Sequence, residues 1–292
     1  MIHRLQISGY LPLRPVWAFA LGLSGLAMLL ASAAHAQEGA PKMRVVCTLI
    51  MAEPAHKPVV EEGDCTGRMP PASTFKLALS LMGFDAGILT SPTTPEWPFR
   101  EGYVDWREEW KKPANPTTWM RDSVVWYSQQ LTQRLGDARF AAYVRGFDYG
   151  NMDVSGDPGK KNGLSRAWLS SSLRISPREQ VGFLHRMLGD TLQVNTVAVK
   201  NTIAISDYGT RPGGWHIHGK TGAGFTRDAR GQLEENRAFG WFVGWAERDG
   251  QRFTFARLVQ DEARHEVPAG FRARDGLLEA YFGADSPLPR EN

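Results

Sequence analysis

The order of segment types constrains this chain most: strand-forming residues at the start, helix-forming residues in the middle, and strands again near the end. Met43 to Ile50 is rich in β-branched residues, Ala55-His56-Lys57 offers a turn, and Pro58-Val59-Val60 starts a return strand. That pattern predicts an N-terminal hairpin. Strand patterns resume only after Gly213, in 215–221, 239–247 and 252–259. The last two are joined by Asp249-Gly250, and an Asp-Gly pair between apolar runs signals a tight hairpin. Helical patterns occupy the middle: Met120 to Leu135, Ala138 to Phe147, the segment from Pro177 through Leu188, and Thr196 to Ile205. Ser176 is placed to cap the third of these, with Pro177 in its first position and Glu179 supporting the first turn. Ala269 to Phe282 closes the chain with an amphipathic helix. The order predicts a mixed α/β unit built from both chain ends, about 37–83 and 206–292, with a helical part at about 84–205 inserted between them. A functional cleft belongs between the two parts.

The first 36 residues read as an export signal. Arg4 and Arg14 supply a positive start, Val16 to Ala33 is apolar, and Ala34-His35-Ala36 fits a small-x-small cleavage site. The expected location is therefore the periplasm. Losing the two arginines lowers the formal net charge from +3 to +1. That balance, with no run of basic residues, excludes nucleic acid and anionic membrane as expected partners. Two cysteines remain, Cys47 and Cys65. An even count in an exported chain favours a disulfide, and the pair lies on two candidate strands around a short turn.

The chemistry starts at Pro71-Ala72-Ser73-Thr74-Phe75-Lys76. Pro70 and Pro71 rule out a helix before it, and the apolar run from Leu77 to Met82 favours one after it. Ser73 then sits at a helix N-terminus with Lys76 on the same face, a pairing that suits a serine nucleophile and a lysine proton acceptor. Ser123-Val124-Val125 follows about 50 residues on, and Lys220-Thr221-Gly222 about 100 residues beyond that. Together with Tyr149-Gly150-Asn151 and Trp168-Leu169, these segments make the chain resemble the class D β-lactamases. The resemblance runs from about residue 43 to about residue 285.

That resemblance implies a β-lactamase and penicillin-binding-protein-like fold, an antiparallel sheet flanked by helices. It implies hydrolysis of β-lactam antibiotics through an acyl-enzyme on Ser73. The backbone N–H groups of Ser73 and Ala223 would form the oxyanion hole. Lys76, set among Phe75, Val124 and Val125, is expected in a dry pocket that disfavours an ammonium. A neutral amine adds CO2, and the resulting N-carboxylated Lys76 is implied as base for acylation and deacylation, supported by the Trp168 indole. Ser123 would pass the proton to the leaving nitrogen. Lys220, Thr221, Gly222, Ala223 and Arg272 would hold the substrate. No metal and no cofactor other than CO2 is expected: His216 and His218 face one way on a strand, but no third ligand is evident beside them. Tyr149-Gly150-Asn151 is expected to shape a loop wall beside the cleft. Two alternatives share these motifs: a β-lactam sensor that stays acylated, and a cell-wall transpeptidase, which Val125 argues against.

Overall fold

The computed structural model describes residues 43–289. The expected export signal lies outside the described residues. Among those described, no helix is long and apolar enough to cross a membrane.

Six antiparallel strands form one sheet. They are β1 (Met43–Glu53), β2 (Lys57–Gly63), β3 (Asp207–Thr210), β4 (His216–Arg227), β5 (Leu233–Arg248) and β6 (Gln251–Asp261). The spatial order is β2-β1-β6-β5-β4-β3. The N-terminal hairpin is thus completed by the last strand of the chain, with Leu49 opposite Ala256 and Met51 opposite Thr254. Asp249 and Gly250, both at positive φ, make the β5–β6 turn, as their sequence anticipates. β3 was not anticipated. Its four residues carry no alternation of their own, and pairing with His216 to His218 defines it.

Alternation along the strands sorts the side chains into two cores. Leu49, Met51, Trp241, Val243, Trp245 and Leu258 face the helical layer. Ile50, Phe242, Phe253, Phe255 and Val259 face the other way. The helices are α1 (Lys76–Asp85), α2 (Pro116–Asp122), α3 (Val125–Gly146), α4 (Gly163–Arg166), α5 (Pro177–Leu188), α6 (Thr196–Ile205) and α7 (Ala269–Tyr281). α7 covers the second core with Ala273, Leu277 and Leu278. α5 packs directly on β1, β5 and β6, so one member of the helical middle belongs to the sheet layers. Its amphipathic pattern explains this, since Val181, Phe183, Leu184 and Met187 are all buried. Ser176 and Glu179 form a reciprocal capping box at its start. A Cys47–Cys65 disulfide, Cα atoms 5.1 Å apart, ties β1 to the segment after β2.

The expected continuous helix from Met120 to Leu135 is interrupted. α2 ends at Ser123, which adopts a left-handed conformation (φ 60, ψ 34), and α3 begins two residues later. Indole hydrogen bonds hold this corner: Trp110 Nε1 donates to the Asp122 carbonyl at 3.0 Å, and Trp126 Nε1 to the Trp110 carbonyl at 2.9 Å. The helices expected at 120–135 and 138–147 are joined, with only a kink at Gly136 (φ 75) between them.

Candidate active site

Pro71 precedes a single 3-10 turn, Ala72–Phe75, which runs into α1. Ser73 sits in that turn. The turn is fixed from three sides. The Ala72 N–H donates to the Trp168 carbonyl at 3.0 Å. Trp241 Nε1 donates to the Pro70 carbonyl at 3.0 Å. Gln180 Nε2 donates to Thr74 Oγ1 at 2.9 Å. Ala72 pays a conformational cost, its φ of 50 lying in a region that L residues avoid.

Lys76 is 1% exposed, and its Nζ donates to Ser73 Oγ at 3.4 Å. Burial holds its pKa well below the ordinary lysine value, and the Lys220 charge adds to that. Phe75, Val124, Val125 and Trp168, the residues expected around Lys76, are all 3% exposed or less. Phe75 packs against Trp168, with ring centroids 5.8 Å apart. Trp168 Nε1 is buried and has no acceptor among the described residues. An orphaned indole N–H is costly in an apolar core.

Ser73, Ser123, Lys220, Thr221, Gly222 and Ala223 line one cleft of about 1270 Å³. Lys220, also 1% exposed, donates to the Thr221 carbonyl at 3.1 Å. Burial, helped by the charges of Arg107 and Arg274, brings its pKa down to about 7. Gly222 lies against the serine turn. A Cβ there would meet the Pro71 carbonyl oxygen at 2.9 Å and the Thr74 nitrogen at 3.1 Å. The glycine therefore lets the chain's own turn approach β4 closely.

Two expectations are corrected. Arg272 does not line the cleft. Its guanidinium contacts both oxygens of buried Asp261 at 2.6 Å and donates to the Val267 carbonyl at 3.0 Å. Arg274, two residues on, lines the cleft in its place. Successive helix positions turn about 100° each, so 272 and 274 face nearly opposite ways. Tyr149-Gly150-Asn151 is not a cleft wall. Tyr149 is fully buried beneath Phe75 at 5.1 Å, and its hydroxyl donates to Gln180. Gly150 (φ 60) packs so tightly that a Cβ would meet the Arg174 carbonyl oxygen at 2.0 Å. Tyr149 thus braces the serine turn from below, while Asn151 donates to the Ser172 and Arg174 carbonyls.

The sequence reading also missed a neighbour of the two strand histidines. β3 brings Asp207 to 2.9 Å from His216 Nε2. His218 stacks on Trp245 at 4.9 Å.

Residues 48–275 match the family model of the penicillin binding protein transpeptidase domain, which defines the class of fold and of serine site. Beta-lactamase OXA-9 of Klebsiella pneumoniae is 46% identical over 233 residues, 80% of this chain and 85% of its own length. Beta-lactamase OXA-1 of Escherichia coli is 39% identical over 215 residues, 73% of this chain and 75% of its own. The crystal structure of OXA-427 class D beta-lactamase matches with a TM-score of 0.76 at 44% identity, covering 80% of this chain and 96% of that one. The chain belongs to the class D β-lactamase family.

Proposed function

We propose that this protein is an exported, periplasmic enzyme that hydrolyses β-lactam antibiotics through an acyl-enzyme on Ser73, with Lys76 carboxylated by CO2. The observation that carries the reading is a fully buried lysine, its pKa lowered by burial, within hydrogen-bond reach of an activated hydroxyl. A neutral amine adds CO2 and releases a proton. The unpaired Trp168 N–H supports the fit. As a carbamate on Lys76, CO2 supplies an anionic oxygen base next to Ser73.

The chain's own residues do the rest. Ser73 Oγ loses its proton and attacks the lactam carbonyl. The backbone N–H groups of Ser73 and Ala223 receive the developing oxyanion, an arrangement worth several kcal/mol in comparable sites. Ser123 hands a proton to the ring nitrogen as the C–N bond breaks. Lys220, Thr221 and Arg274 hold the substrate carboxylate. Water then attacks the ester and frees Ser73.

The test is twofold. Ser73→Ala should abolish covalent labelling by a fluorescent penicillin, and labelling that persists would remove Ser73 from the role. The parent should release the penicilloyl group rapidly. An acyl-protein that survives for hours would make the protein a sensor.

A further inference from the structure

Three titratable side chains meet far from the cleft, where no step of the proposed reaction uses them. Glu53 is the last residue of β1, His56 lies in the turn before β2, and His185 lies in the last turn of α5. The Glu53 side chain is 6% exposed. Its Oε1 lies 3.0 Å from His56 Nδ1, and its Oε2 lies 2.7 Å from His185 Nδ1. The two imidazole rings stack with centroids 4.3 Å apart and planes 34° apart. They thus present the same nitrogen to one carboxylate. The three potential ligand atoms all lie within 4.8 Å of one another.

We propose that Glu53, His56 and His185 bind one divalent transition-metal cation of the zinc type. Two imidazole nitrogens and one carboxylate are the donor set such a cation takes, with a fourth position left for water. Bonds of 2.0–2.2 Å place neighbouring ligand atoms about 2.9–3.5 Å apart around a tetrahedral or octahedral centre. The observed nitrogen–oxygen spacings fall at the short end of that range or just below it.

Three features prepare the place. Thr254 Oγ1 donates to Glu53 Oε1 at 2.8 Å and fixes the carboxylate, as outer hydrogen bonds do for metal ligands. His185 occupies the C-terminal turn of α5, where the helix dipole favours positive charge. The cluster also opens onto a cavity of about 670 Å³ lined by Pro54, Leu188 and the β5–β6 turn, which gives an ion and its water a way in. The arginines on that cavity are engaged elsewhere. Arg252 pairs with Glu247 at 2.7 Å, and Arg248 lies over the Trp215 ring.

A cation here would clip the β1–β2 turn to a helix 132 residues away in sequence. Because the site exists only in the folded chain, binding stabilises the fold. The experiment uses the EDTA-treated protein, titrated with Co2+ and then with Zn2+. The expected result is one equivalent of Co2+ bound, with visible d–d absorption that Zn2+ displaces, and a melting temperature that rises with metal. His56→Asn, chosen because asparagine tolerates the positive φ of 49 at this position, and His185→Gln should each weaken binding at least tenfold. Both should leave the metal-free circular dichroism unchanged. Thr254→Val should weaken binding about 10- to 100-fold. His216→Ala is the control for the other histidine pair and should bind as the parent does. Failure of the parent to bind a stoichiometric ion would overturn the assignment. So would binding that survives both His56→Asn and His185→Gln, or that is lost in His216→Ala.

Discussion

Replacing Trp168 with phenylalanine separates two consequences of the buried indole. The ring is fully buried and packs on Phe75 and on Phe140, 6.4 Å away. Its N–H has no acceptor among the described residues. In CO2-free buffer, the lost volume costs about 1–3 kcal/mol, a fraction of a full truncation. Removing an unsatisfied buried donor returns about 1–3 kcal/mol. The two offset, so the variant should melt within a few degrees of the parent. Once Lys76 is carboxylated, the parent gains a charge-assisted hydrogen bond worth about 1.5–3 kcal/mol, which phenylalanine cannot make. At about 1.4 kcal/mol per factor of ten, the CO2 affinity of Lys76 should fall roughly 10- to 100-fold. The assay is the initial rate of hydrolysis of a chromogenic cephalosporin in degassed buffer, titrated with bicarbonate. The half-saturating concentration should move up by that factor, with the rates converging at high bicarbonate. Superimposable bicarbonate curves for the two proteins would refute the reasoning.

Lys220, with its pKa near 7, carries its charge below that pH and loses it above. The kcat/KM for a carboxylate-bearing substrate should fall above about pH 7, by at most tenfold per unit, and Lys220→Arg should flatten the profile because arginine keeps its charge. The sign for stability is the same as for a depressed carboxylate: this group's contribution is full above its unfolded value and is lost as pH falls from about 10.5 toward 7, a slope that thermal melts of Lys220→Met should lack. Gly222→Ala pushes a methyl group into the Pro71 carbonyl and Thr74; it should cost about 1–3 kcal/mol in melts and slow penicillin acylation by more than tenfold. The Cys47–Cys65 bridge closes a loop of sequence separation 18, worth about 3 kcal/mol. The double serine variant should therefore melt about 6–12 °C lower, and the parent should show no free thiol to an alkylating reagent without reductant.

What could be read from the chain was whatever local chemistry dictates. Ser176 and Glu179 cap α5, Asp249-Gly250 turns the hairpin, and Ser73 with Lys76 meet because one helical turn joins them. What escaped depends on contacts distant in sequence. β3 exists only as a partner of β4. Arg272 and Arg274 look alike in a row of residues, and only the docking of α7 on the sheet decides which one meets Asp261 and which the cleft. The break at Ser123 defeats an apolar periodicity that runs unbroken through it, because the corner is secured by the indoles of Trp110 and Trp126. Gly150 holds a left-handed angle, but it packs against the Arg174 carbonyl and Ile175 rather than beside the cleft.

Ala72 and Ser123 both hold left-handed backbone angles on the rim of one cleft. Each is a position where glycine would relax the chain by about 1 kcal/mol or more. Thermal robustness and turnover should therefore pull in opposite directions at these two residues. Hardier variants obtained there by heat selection alone should emerge with a looser nucleophile or without the second hydroxyl, and only exposure to the drug would keep the tension in place.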